Sequence, residues 1–187
     1  MADHLIIKKY SYPFADRINP KLYNLVDLYH NNDPIKGGGK RTNTNLHQQD
    51  DKEINILTKW INDLIINFSS NIRGGSSPYI PSCSGLGGGG GFDPYQSYIH
   101  SCWGVIYKKG DGVEKHNHFP YPISFCYYVK TPSHSSPIII ENKRMRVNEG
   151  QLILFLSHYD HYVPKSKVDG RCVIVGNINY RLEGGHV

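Results

Sequence analysis

Two histidines one residue apart, His116 and His118, stand in the stretch EKHNHFPYPI at 114–123. A third, His161, lies in LSHYDHYV after the apolar run QLILF, and Arg171 opens the apolar run RCVIVGN ten residues later. Imidazoles at i and i+2 of a strand project to the same side. His116 and His118 are therefore placed to act as two fingers of a metal clamp. Taken alone, the pair reads better as surface or turn histidines, in a chain that has ten. His161 and Arg171 shift that balance. Three nitrogen ligands on one face leave coordination positions open for a substrate, which a catalytic metal site needs and a purely structural one does not. An arginine that opens an apolar strand needs an anionic partner or must reach out to solvent.

Such a site needs a rigid frame, and the pattern from Tyr95 onward is that of short strands. YQSYIHSCWGVIYKKG, DGVEKHNHF, ISFCYYVKT, PIIIEN, KRMRV, QLILFLS, HYVPK and RCVIVGNINYR make a series of eight. Gly/Asp/Asn turns separate them at 109–112, 148–150 and 169–170,. Eight strands in so short a stretch predict a sandwich or jelly roll. Two helical patterns precede it. Leu22, Leu25, Val26 and Tyr29 fall at helical spacing, with Pro20 expected in the first turn,. Ile54, Leu57, Trp60, Ile61, Leu64, Ile65 and Phe68 form a longer apolar stripe with acids at its start,. The segment 32–45 between them reads as a loop, and residues 1–15 as one or two short extended pieces. The expected division is a supporting segment at 1–69, a glycine-rich loop at 70–94 and a jelly-roll core at 95–187, within one domain.

Composition narrows the function classes. The 187 residues carry a formal charge of +5, with Lys and Arg spread in short clusters such as GGGKRTN and ENKRMR. That permits anionic partners, nucleic acid included, without indicating one. No apolar run is long enough to span a bilayer. The start MADHLIIKKY lacks a secretory pattern, so a cytoplasmic location is expected,. Cys83, Cys102, Cys126 and Cys172 form no CxxC pair and are expected as free thiols,. GLGGGGG at 85–91 lacks the Lys-Ser/Thr of a phosphate loop,. Nothing supports a nucleophilic serine or cysteine.

The landmarks HNHFPYPISFCYYV, NEGQLILFLSHYDHYV and GRCVIVGN together resemble the 2-oxoglutarate/iron(II)-dependent oxygenases, and more narrowly a group of these from bacteria and tailed phages. The resemblance covers residues 97–180. It implies a mainly β double-stranded β-helix with two N-terminal bracing helices, iron(II) as metal and 2-oxoglutarate as cosubstrate. Position by position, it implies His116 and His161 as metal ligands, His118 in the place of the usual carboxylate ligand, and Arg171 as anchor of the far carboxylate of 2-oxoglutarate. It leaves either Tyr127 or Tyr128 to face the cosubstrate, and it gives Asn177 a structural place at the end of the last strand. Trp103 and His100 are candidate pocket walls; His158 reads as a turn residue.

Two departures stand out. His118 makes the ligand set one negative charge poorer, which alters metal preference. Val173 stands where many relatives have a serine two residues past the anchoring arginine. A cupin reading fits GDGVEKHNH but lacks the acid expected soon after. The expected function is hydroxylation of an unidentified substrate: peptide, nucleobase or metabolite. The alternative is a non-catalytic jelly-roll module with a vestigial metal pocket, such as a phage virion component with assembly partners.

Overall fold

The computed structural model describes residues 5–31, 39–73 and 95–182. Most of the segment expected as a glycine-rich loop, with Cys83, lies outside the described residues. All eight expected strands are present: β4 (Tyr95–Tyr107), β5 (Val113–His116), β6 (Ile123–Lys130), β7 (Ile138–Ile140), β8 (Lys143–Met145), β9 (Gln151–Leu156), β10 (His161–Val163) and β11 (Arg171–Leu182). They form two antiparallel sheets, as a jelly roll requires. The smaller has the order β5-β10-β7-β8. The larger has seven strands, because β1 (Ile7–Ser11) joins one edge and β3 (Lys40–Thr42) and β2 (His30–Asn31) extend the other, in the order β1-β9-β6-β11-β4-β3-β2.

Residues 40–42 were expected in a loop. KRT has no apolar periodicity, and it becomes a strand because the edge of β4 offers unpaired backbone groups, with Lys40 opposite Ile106 and Arg41 opposite Val105,. The side chains there owe their placement to that pairing and not to local propensity.

The two helices cover the outer face of the large sheet, as expected. α1 spans Ala15–Leu28 and α2 spans Lys52–Arg73. α1 begins earlier than Pro20 suggested, so the proline lies inside the helix. It is tolerated because it sits on the exposed face, while Ile18, Leu22 and Val26 at four-residue steps face the sheet,. From α2, Ile54, Leu57, Ile61, Ile65 and Phe68 are buried, with Trp60 and Leu64 partly so. Burying each such side chain contributes about 1.5–3 kcal/mol relative to exposure.

The central strands are thus buried on both faces, which explains why ISFCYYV and QLILFL read as unbroken apolar runs. Alternate residues serve two cores. Phe125, Tyr127, Leu152, Leu154, Cys172 and Ile174 pack under the helices. Val105, Cys126, Tyr128, Ile153, Phe155 and Val173 point between the sheets. Cys102, Cys126 and Cys172 are free and buried, behaving as small apolar residues,. Among the described residues, no helix is long and apolar enough to cross a membrane.

Candidate metal centre

Pairing of β5 with β10 sets His116 opposite His161. β5 stops at His116, so a shared strand face is not what brings His118 to the same place. Instead the His118 N–H donates to the Ser157 carbonyl at 2.8 Å, fastening it to the chain just past β9. The three rings converge. Centroids lie 4.4 Å apart for His116 and His161, and 5.0 Å for each of the other two pairs. The Nε2 atoms of His116 and His118 are 3.1 Å apart. One nitrogen from each of the three lies within 4.8 Å of the others, a group able to hold a metal ion.

Each ring is fixed through its other nitrogen. Nδ1 of His116 bonds the Glu114 carbonyl at 2.7 Å, Nδ1 of His161 the Tyr159 carbonyl at 3.0 Å, and Nδ1 of His118 the side-chain Oδ1 of Asn177 at 2.5 Å. A carbonyl oxygen only accepts, so in each neutral ring Nδ1 carries the proton and Nε2 keeps its lone pair. Burial pushes the His118 pKa down and that of His161 down to about 3, the nearby imidazoles adding to the effect. Both rings are therefore neutral at pH 7, the state a ligand needs.

His118 has the most elaborate support. Asn177 Oδ1 also accepts from Ser124 Oγ at 3.0 Å, its Nδ2 donates to Ser101 Oγ at 3.1 Å, and Ser124 and Ser157 bond each other at 2.6 Å. Trp103 stacks on the His118 ring at 5.8 Å with 21° between planes. Asn177 and Ser101 face this way because of an irregularity in the β4–β11 register beside Asn177, where Ser101 opposes Asn177 and Ile99 opposes Ile178. His100 is the unmatched residue. It turns out to an exposed position against Tyr121, 4.9 Å away, and does not line the cavity.

The histidines line a cavity of about 570 Å³ between the sheets, together with Trp103, Arg171, Val173 and Arg41. Arg171 is 1 % exposed, and its Nε and Nη1 have no hydrogen-bond partner. Tyr107 and Tyr128 rings lie 4.5 and 5.5 Å from its guanidinium carbon. These contacts hold the group without supplying an anion. Register separates the two tyrosines that the sequence left tied. Tyr128 pairs with Val173 and shares the roll core with it; its hydroxyl is buried without a partner. Tyr127 points into the helix core, where its hydroxyl donates to Asn19 Oδ1 at 2.7 Å. Its position on the far side of the sheet removes it as a cosubstrate residue.

No carboxylate joins the three histidines among the described residues. Asp160 is occupied outside the centre, accepting from Asn117 at 3.0 Å and pairing with Lys115 at 3.2 Å. Asp111 caps the turn at Lys108, and His158 packs on Tyr159 outside the cavity. Sequence reasoning missed Arg41, which was visible only as part of a basic cluster, and missed the serines that hold Asn177, which carry no pattern of their own.

No protein-family model matches the sequence, and no curated protein does. Solved structures match over nearly the whole chain. A prolyl-4-hydroxylase from Pseudomonas putida superposes with a TM-score of 0.67 at 14% identity, covering 95% of this chain and 94% of that one. The viral collagen prolyl hydroxylase of Paramecium bursaria chlorella virus-1, in complex with 2-oxoglutarate, gives 0.64 at 12% identity, covering 94% and 96%. An oxidoreductase of the 2-oxoglutarate/iron(II) oxygenase family from Burkholderia pseudomallei gives 0.59 at 9% identity, covering 92% and 84%. From helices to last strand, this chain has the double-stranded β-helix fold of the 2-oxoglutarate/iron(II) oxygenases.

Proposed function

We propose that this chain is an iron(II)- and 2-oxoglutarate-dependent oxygenase of the hydroxylase type. The observation that carries the reading is Arg171: a fully buried guanidinium with two unpartnered nitrogens, in the same cavity as three convergent imidazoles. Burying a charge without a partner costs several kcal/mol, so such a group is kept for an anion that arrives later. A non-catalytic roll would have no use for it.

The residues fit the two groups. Three neutral imidazole nitrogens suit a divalent first-row metal ion, iron(II) included. His116, His118 and His161 would hold it and leave positions open. Arg171 would take the far carboxylate of 2-oxoglutarate through a paired, charge-assisted contact, and the free Tyr128 hydroxyl would add a hydrogen bond. Val173 offers no such bond and serves as an apolar wall. When bound, the metal and 2-oxoglutarate supply the oxidising chemistry by which dioxygen attacks an unactivated bond. The chain orients both groups, keeps the ring tautomers fixed and limits water in a largely apolar cavity.

Anaerobic titration with iron(II) and 2-oxoglutarate tests the reading. A charge-transfer absorption should appear in the wild type, vanish in His161→Ala and need about tenfold or more 2-oxoglutarate in Arg171→Ala. Absence of iron uptake by the wild type, or an Arg171→Ala titration identical to it, would sink the proposal.

A further inference from the structure

Arg41 is a second cation in the same cavity, and the oxygenase reading leaves it unused. β3 carries it there, on a strand paired with β4 rather than on a free loop. Its guanidinium lies 5.0 Å from the Trp103 ring, and Trp103 in turn stacks on His118. Trp103 thus touches both Arg41 and a candidate metal ligand. Stacking occupies the face of a guanidinium and leaves its forked edge of N–H donors free. Among the described residues that edge meets no hydrogen-bond or ion-pair partner. Arg41 is half-buried, and partial desolvation draws its pKa down, so an anion at that edge would be bound from a site already partly stripped of water.

Charge bookkeeping points the same way. A divalent ion held by three neutral histidines is fully offset by dianionic 2-oxoglutarate. Arg171 pairs with that 2-oxoglutarate, yet the two arginines still leave the cavity with net positive charge, and Arg41 has no anion of its own. Glu114, the one carboxylate among the lining residues, is exposed at the rim beside the equally exposed Lys115. The replacement of the usual carboxylate ligand by His118 therefore leaves a cavity that favours an incoming negative charge. The concave volume of about 570 Å³, with a single free cation beside an indole, suits a small molecule rather than an extended chain of phosphates,.

We propose that Arg41, braced on Trp103, binds a carboxylate or phosphate of the substrate, so that this site acts on a small anionic molecule. The assignment rests on the oxygenase reading for the cavity's role. Arg41 positions the substrate, and Arg171, fully buried on β11 with β4 between it and Arg41, retains the cosubstrate.

Binding can be read without turnover. Zinc-loaded protein saturated with 2-oxoglutarate is screened by ligand-observed NMR against N-acetyl amino acids, their neutral amides, and sugar phosphates beside the parent sugars. The acids or phosphates should bind about tenfold or more tightly than their neutral partners, as expected for a charge-assisted contact. Arg41→Gln should erase that preference, Arg41→Lys should keep part of it, and 2-oxoglutarate affinity should shift less than about threefold in both. Which of the two anion types binds identifies the source of the charge. Equal binding of charged and neutral partners, binding of neither, or a preference that survives in Arg41→Gln overturns the proposal. If 2-oxoglutarate itself fails to bind, the oxygenase reading falls, and the same paired comparison on protein with zinc alone still decides the role of Arg41. Thermal melts of both variants confirm that the fold persists.

Discussion

The side-chain oxygen of Asn177 on β11 receives the Nδ1–H of His118, a residue 59 positions earlier in the chain and outside any strand. Asn177 is in turn held from below by Ser101 and Ser124. This bond selects the His118 tautomer and aims its Nε2. Asn177→Leu should therefore weaken metal binding by about 10–100-fold, in line with losses seen for outer-shell partners of metal-bound histidines. Competition titration with a chelating dye measures it, and an affinity within twofold of wild type would show that His118 needs no such guide.

The two adjacent tyrosines should separate by phenotype. Tyr127→Phe removes the bond to Asn19 in the helix core and should cost about 1 kcal/mol of stability with 2-oxoglutarate affinity unchanged,. Tyr128→Phe removes a buried hydroxyl that has no partner, so stability should hold or rise while 2-oxoglutarate affinity falls severalfold,. Urea unfolding and cosubstrate titration on the two variants give the answer. The opposite pattern would place Tyr127 at the cosubstrate.

Burial of His161 predicts an acid-sensitive metal-free protein. The unfolded ring titrates near 6.5, and the folded ring is held down to about 3 by burial first and by the His116 and His118 rings after it, against the opposing pull of the Tyr159 carbonyl and Asp160. Below pH 6.5 the unfolded chain takes up a proton that the native state refuses. Stability from this group is therefore whole above pH 6.5 and falls continuously towards pH 3, by at most about 1.4 kcal/mol per pH unit. The unfolding free energy of wild type minus that of His161→Leu should drop between pH 7 and pH 5. A flat difference would mean that water reaches the ring.

Gly176 lets β11 approach β4 closely beside Asn177. An added Cβ would overlap the Ser101 carbonyl oxygen and come within 2.6 Å of the Phe125 ring, both immobile. Gly176→Ala should destabilise the protein by about 1–3 kcal/mol and loosen metal binding, since the intrusion sits one residue from the His118 support. Chemical denaturation checks the first part. Wild-type stability would show that the two strands can part without cost.

Much of this protein is determined by its sequence alone. The eight strands follow from apolar runs and Gly/Asp/Asn turns, the two helices from stripes at helical spacing, and the pairing of His116 with His161 and Arg171 from residue types that have few other uses together. The strand and helix patterns are local signals, and local chain geometry is enough to carry them; the three site residues were grouped by residue type and by the family resemblance. Tertiary structure decided the rest. Pro20 could not mark the start of α1, because burial of Ile18 outweighs a proline on the exposed face. KRT became a strand only because β4 had an open edge. Tyr128 rather than Tyr127 faces Arg171 because register across β6 and β11 sets the face, and consecutive residues of a strand buried on both sides look alike in sequence. His118 joins the centre through Ser157, Asn177 and Trp103, partners drawn from three separate strands or strand ends. Arg41 reached the cavity by the same route. Contacts between distant segments leave no periodic trace along the chain, so the residues that orient this site are legible only once the sheets are assembled.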